Sequence, residues 1–207
     1  MAQYKKEEIR KRLLEAAREE FLEHGFQGAN MRAIARRAGQ NPGNIYHYYS
    51  SKDALFCAVL EKVLRSVEAG ILFMRDWKPT PEHPINTLKD ERQILHTIID
   101  FVDANREDVN MLAFKSRGSS LEGLQERLLD ELTIQFSVIM KDVVNFSDDD
   151  ELTFAPSQFF LRRLNVFFLD GMTAMLRDNI SKPTMYEYVE EMLVFYYHGL
   201  VALLKTE

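Results

Sequence analysis

Apolar residues recur every three or four positions along most of the 207-residue chain, and no stretch alternates apolar and polar as a half-buried strand does. Ile9, Leu13, Ala16, Ala17 and Phe21 share one helical face with charges between them, and Gly25 suits the end of that helix. Asn30 is a capping residue for a short helix carrying Met31, Ile34, Ala35 and Ala38, which Gly39 stops. Asn41 caps a third helix, about 42–48, with Pro42 at its first position, where a missing N–H costs nothing. Ser50 or Ser51 caps a fourth, from near Lys52 to about Phe73, with Leu55, Ala58, Val59 and Val63 inward.

The run KPTPEHP at 78–84 holds three prolines and cannot continue a helix. Further helices are expected at about 86–104, 106–117, 120–145, 156–180 and 184–205. Gly118-Ser119-Ser120, Ser147-Asp148-Asp149-Asp150 and Ser181-Lys182-Pro183 separate the later ones. The expected fold is all-α with about nine helices. An N-terminal three-helix domain, residues 1–66, is joined through the fourth helix to a larger helical domain, residues 67–207.

Residues 30–49 are where this pattern points to chemistry. A helix of 42–48 is too short to stand alone, so it keeps its shape only by docking Ile45 and part of Tyr49 on the helices beneath. Its other face then shows small and polar residues, as contact with base edges in a major groove requires. Gly43 allows close backbone approach, and Asn44 can donate to and accept from adenine. Tyr46, His47 and Tyr48 can reach phosphates or bases. Arg32, Arg36 and Arg37 lie on the outer side of the preceding helix. Lys52 falls in the first turn of the fourth helix, where the dipole favours an anion, and a bound phosphate would account for a lysine there. The alternative is a solvated surface lysine.

Composition is that of an ordinary globular protein, 46% hydrophobic and 28% charged, with a formal net charge of −6. That total argues against nucleic acid until its distribution is considered. Residues 1–53 hold ten Lys or Arg against seven acids, so the basic excess is local and the remainder is acidic. The single cysteine, Cys57, excludes an internal disulfide and fits a reducing compartment. The basic start MAQYKKEEIRKR is not followed by an apolar run, and no stretch approaches a membrane span, so a cytoplasmic location is expected.

The stretch GFQGANMRAIARRAGQNPGNIYHYYSSKDAL, residues 25–55, resembles the DNA-binding domain of the TetR family of bacterial regulators. The resemblance rests on Phe21, Gly25, Phe26, Ile34, Ala35, Ala38, Gly39, Tyr46, Tyr48, Tyr49, Ser51, Lys52 and Leu55. Asn30 stands where Thr is usual, Gln40 where a small aliphatic is usual, Tyr49 for Phe and Asp53 for Glu; none removes a function. Asn41-Pro42-Gly43-Asn44 is an individual variant. The resemblance implies a homodimer whose two recognition helices face successive major grooves of a palindromic double-stranded operator. It places phosphate contacts on Asn30, Arg32, Tyr48 and Lys52, and base-edge contacts on Pro42, Gly43, Asn44, Tyr46 and His47.

The last two helices carry more apolar residues than one core face needs. Phe160, Leu164, Phe167, Phe168, Val189, Met192, Tyr196 and Leu200 are candidates for a face that packs on a second copy, although plain burial would also account for them. In this family the last two helices usually dimerise. The middle helices offer Phe101, Met111, Phe114, Lys115, Phe136 and Met140 as candidate walls for an unknown small effector, apolar or amphipathic, or as ordinary core.

His96, Asp100 and Asp103 share a helical face, but no second histidine or cysteine lies nearby to complete a metal site. No phosphate loop, nucleophile elbow or paired-carboxylate signature is present, so neither enzymatic activity nor a cofactor is expected. The function these features favour is a sequence-specific DNA-binding transcriptional regulator, a repressor released by a ligand. Two alternatives remain: control by a protein partner, and a helical enzyme or binding module that keeps the helix-turn-helix as scaffold.

Overall fold

The computed structural model describes residues 2–76, 88–146 and 156–204. Among them are nine α-helices, one short 3-10 helix and no strand. They are α1 (Ala2–Gly28), α2 (Met31–Arg37), η1 (Asn44–His47), α3 (Lys52–Val59), α4 (Glu61–Asp76), α5 (Leu88–Ala104), α6 (Arg106–Phe114), α7 (Leu124–Phe146), α8 (Gln158–Arg177) and α9 (Lys182–Leu204). The proline run at 78–84 and the Ser147–Asp150 separator lie outside the described residues. No helix among those described is long and apolar enough to cross a membrane.

The chain divides into two compact units. The first runs to Glu68 and takes in Glu107–Leu124; the second holds Ala69–Arg106 and the chain from Gln125 onward. In the first, α1 packs on α2 and α3, and α2 packs on η1. Its core gathers Leu13, Ala17, Phe21, Ile34, Ile45, Leu55, Phe56 and Leu60, with Met111 of α6 fully buried among them. Phe21, Phe26 and Phe56 form an aromatic knot: Phe56 meets Phe21 edge-on at 4.9 Å and Phe26 at 5.2 Å.

Gly25 adopts φ 64°, a left-handed conformation that kinks α1 three residues before its end. The kink admits the turn after α6, whose Lys115 carbonyl accepts from Phe26 N–H at 2.8 Å. Arg18 on α1 pairs with Glu107 (2.7 Å) and Asp108 (2.8 Å) of α6. The expected fourth helix is two helices, broken at Leu60, which is itself fully buried. The expected helix 120–145 begins later, at Leu124, because Gly118 and Gly123 take positive φ and hold 116–123 in turns.

In the second unit α9 packs along α5, joined by charged groups. Arg92 Nε donates to Glu190 at 2.7 Å, and Lys182 pairs with Asp100. Arg106 pairs with Asp103 at 2.8 Å and donates to the Ile180 carbonyl at 2.9 Å. On the other flank of α9, Tyr196 donates to the Leu164 carbonyl of α8 at 2.6 Å, and Tyr188 lies over Gly171. Burial pushes the Tyr196 hydroxyl pKa well above its ordinary value, so it remains a donor.

Candidate nucleic-acid interface

The helix-turn-helix is built as the apolar pattern requires, with one change. Asn30 caps α2, its Oδ1 accepting from Arg32 N–H at 2.8 Å. The backbone N–H of Asn30 donates to Glu20 Oε1 at 3.1 Å. Glu20 is only 3% exposed, and its buried carboxylate is balanced by Arg37 at 3.6 Å. Arg37 also reaches Glu19 and Glu23, so it is committed to α1 rather than presented outward.

Gly39, at φ 68°, makes the turn, and no neighbouring atom would meet a Cβ there. Asn41 then forms a local cap, Oδ1 accepting from Gly43 N–H at 3.0 Å and its carbonyl from Asn44 N–H at 2.9 Å. The recognition segment that follows is one turn of 3-10 helix, Asn44–His47, rather than an α-helix over 42–48. Four residues cannot offset their own ordering entropy, so packing fixes them: Ile45 is fully buried and Tyr49 nearly so.

With that face down, Gly43, Tyr46 and His47 are exposed, Tyr46 to 56%, and Pro42, Asn44 and Tyr48 are half-buried. Asn44 Nδ2 donates to Gln40 Oε1 at 2.8 Å, which orients the amide and leaves its Oδ1 and second N–H available. Arg32 and Arg36 are exposed on α2, and Arg36 Nε donates back to the Arg32 carbonyl at 3.4 Å.

Lys52 differs from the expectation drawn from the α3 dipole. Its ammonium turns back to the end of α1, donating to the carbonyls of Ala29 (3.1 Å) and Gln27 (3.3 Å) and standing 4.6 Å from the centre of the Phe26 ring. Carbonyls at a helix C-terminus lack partners within the helix and attract a cation, which explains a lysine at this position without any ligand. Lys115 acts similarly: its ammonium donates to the Leu22 carbonyl, so it is occupied within the first unit. Burial is the main cause holding the Tyr49 hydroxyl above its ordinary pKa, and Arg10 Nε donates to it at 3.3 Å.

The remaining candidates divide between the two units. Met111, Phe114 and Lys115 belong to the first unit, whereas Phe101, Phe136 and Met140 belong to the second, so no single unit gathers the six proposed ligand walls. An open cleft of about 420 Å³ between α7 and α8 is lined by Asp130, Thr133, Ile134, Gln158, Phe159 and Arg162, residues the sequence pattern did not single out. Of the proposed dimer face, Val189 and Met192 are buried within their own chain and Leu164, Phe168, Tyr196 and Leu200 half-buried. Phe160 and Phe167 are exposed, together with Phe159, Val194 and Phe195 of the same two helices. His96 binds Glu190 at 2.9 Å, while Asp100 and Asp103 are each engaged by other groups. Among the described residues no cluster suited to a metal ion is present.

A two-helix unit with a docked core face, a tight glycine turn and a polar outer edge defines a helix-turn-helix domain, here followed by a larger helical unit. The family model for bacterial regulatory proteins of the tetR family matches residues 13–59. The chain is 47% identical over 51 residues to the HTH-type transcriptional regulator UidR of Escherichia coli, covering 25% of this chain and 26% of that protein. It is 38% identical over 79 residues to the HTH-type transcriptional repressor AcnR of Corynebacterium diphtheriae, covering 35% and 42%. These matches thus span about a quarter to two fifths of the curated relatives' length. The fold is similar to that of a TetR-like transcriptional regulator from Rhodococcus sp. RHA1, with a TM-score of 0.60 at 18% identity over 93% of this chain and 96% of that one. The likeness to the tetR family thus covers the helix-turn-helix segment, residues 13–59.

Proposed function

We propose that the protein is a sequence-specific DNA-binding transcriptional regulator, acting in the cytoplasm as a homodimer. In this reading it is a repressor that leaves a palindromic operator when a small apolar or amphipathic ligand binds. The observation that carries the reading is the recognition turn at 44–47, held by Ile45 beneath and open above at Gly43, Tyr46 and His47. Pro42, Gly43, Asn44, Tyr46 and His47 take the base edges, and Asn30, Arg32, Tyr48 and Lys52 the phosphates. Lys52 keeps one N–H donor beyond its two carbonyl bonds for that contact. Dimerisation is supported by the exposed apolar residues of α8 and α9, chiefly Phe160, Phe167, Val194 and Phe195. Ligand control is supported by the half-buried and buried Phe101, Phe136 and Met140 of α5 and α7. The reading gives the chain no catalytic role.

Selection of binding sites from a random duplex library tests it. Asn44→Ala should change which bases are preferred. Arg32→Ala should leave the preference intact, weaken binding to all sequences, and lower the slope of log affinity against log salt by about one. Equal behaviour of the two variants would refute this division of roles. Recovery of no enriched sequence by the wild type would refute the reading itself.

A further inference from the structure

The turn that joins α2 to the recognition segment carries a polar side chain where its geometry favours an apolar one. Gly39 N–H donates to the Arg36 carbonyl at 3.0 Å and Gln40 N–H to the Ala35 carbonyl at 2.8 Å. With Ala38 as the cap and Gly39 left-handed at φ 68°, this is the paired closure of a Schellman turn. The second residue past the cap of such a turn commonly packs an apolar side chain back on the helix. Gln40 occupies that position and is half-buried. Its amide reaches the recognition segment instead, Oε1 accepting from Asn44 Nδ2 at 2.8 Å.

Both ends of this bond are held by backbone. Gln40 is fixed by its N–H bond to Ala35, and Asn44 by its N–H bond to the Asn41 carbonyl at 2.9 Å. Ile45, the next residue, is fully buried. The two amides therefore have little freedom to separate, and their hydrogen bond decides which way round the Asn44 amide stands. An asparagine amide left alone can turn over, exchanging its donors for its acceptor. Against Gln40 Oε1 the turned-over form would set two acceptors face to face.

We propose that Gln40 is a positioning residue for base reading: it fixes the Asn44 amide with one N–H held, so that the oxygen and the other N–H are offered to a single base. That pattern, one acceptor beside one donor, matches N6 and N7 of adenine, whereas guanine presents two acceptors, O6 and N7. Gln40 itself touches no base in this scheme. The proposal rests on the reading of the chain as a DNA-binding protein. It names the residue that sets the specificity of Asn44 and adds no contact to the DNA.

The test begins with binding sites selected from a random duplex library by the full-length wild type. Affinities are then measured by fluorescence anisotropy on the selected duplex and on duplexes changed at the position to which Asn44→Ala is sensitive. The wild type should prefer adenine there. Gln40→Leu removes the acceptor and keeps a side chain that the Schellman position favours. It should lower the adenine-to-guanine affinity ratio at that position by about two- to tenfold, the range that one neutral hydrogen bond supports. Preferences elsewhere and the salt slope should stay as they are. A merely structural role would instead weaken all sequences alike. Gln40→Glu, whose carboxylate only accepts, should keep the wild-type ratio while its charge weakens binding to every sequence. In an Asn44→Ala background, Gln40→Leu should change the ratio no further. The proposal is overturned by guanine preferred in the wild type, by a wild-type ratio in Gln40→Leu, by a change at a different base pair, or by a loss in Gln40→Glu as large as in Gln40→Leu. Each of these leaves the regulator reading standing. Recovery of no enriched sequence by the wild type defeats both.

Discussion

Replacing Lys52 by methionine separates a structural lysine from one that waits for DNA. Methionine keeps the length and apolar stem of the side chain and removes only the ammonium. The substitution removes two hydrogen bonds to carbonyls, at 3.1 and 3.3 Å, and a cation–ring interaction at 4.6 Å. A hydrogen bond from a charged donor contributes about 1.5–3 kcal/mol when sheltered. Lys52 is half-buried and its bonds are long, so about 0.5–1 kcal/mol each is the appropriate scale. The ring interaction adds about 0.5–1 kcal/mol. The total is about 2 kcal/mol, which at a urea slope of about 2 kcal/mol/M moves the unfolding midpoint down by about 1 M. The assay is urea unfolding followed by circular dichroism, without DNA and at fixed protein concentration. Arg32→Met, which removes a cation with no such partners, should shift stability by less than about 0.5 kcal/mol. Superimposable curves for the two variants would refute the assignment of Lys52 to the end of α1.

Two further substitutions examine the second unit. A Cβ on Gly171 would stand 1.8 Å from the Tyr188 hydroxyl oxygen and 2.6 Å from its ring carbon, so Gly171→Ala should cost about 1–3 kcal/mol by calorimetry. Pairing it with Tyr188→Ala should cost less than the two changes summed, and strict additivity would count against this contact. The Asp100 carboxyl is held below its ordinary pKa, first by the hydrogen bond from Lys182 and then by that from Tyr186. Its stabilising contribution is therefore present at neutral pH and lost as pH falls through the folded-state value. Asp100→Asn should lower stability at pH 7, with the gap to wild type closing below about pH 4; a gap constant with pH would show that Asp100 does not act through its charge.

Much of the first unit was legible because its signals are local. The caps at Asn30 and Ser51, the left-handed Gly25 and Gly39, and the inward Ile45 and Tyr49 all follow from residue chemistry within a few positions. What periodicity missed depends on packing between distant segments. The break at Leu60 carries no glycine or proline, and the buried leucine keeps its N–H bonded to the Phe56 carbonyl at 3.1 Å, so nothing local marks it. Met111 and Lys115 have the residue types of a ligand wall, yet one fills the core behind Phe21 and Phe56 and the other caps α1. Lys52 stands out in the sequence because it opposes the α3 dipole, but its true partners lie more than twenty residues away on α1. For α8 and α9, apolar excess pointed to the right helices. Only three-dimensional packing separates the inward Val189 and Met192 from the outward Phe167 and Phe195, which are 55% and 61% exposed.

Sequence-specific duplex binding is tested most directly by a DNase I footprint of the full-length protein across the region upstream of its own coding sequence, repeated at increasing salt. A regulator built this way should protect a roughly palindromic site whose half-sites are about one helical turn apart, with protection that weakens steeply as salt rises and disappears in Asn44→Ala. Protection absent at every salt concentration, or spread evenly without regard to sequence, would contradict DNA reading by residues 42–47.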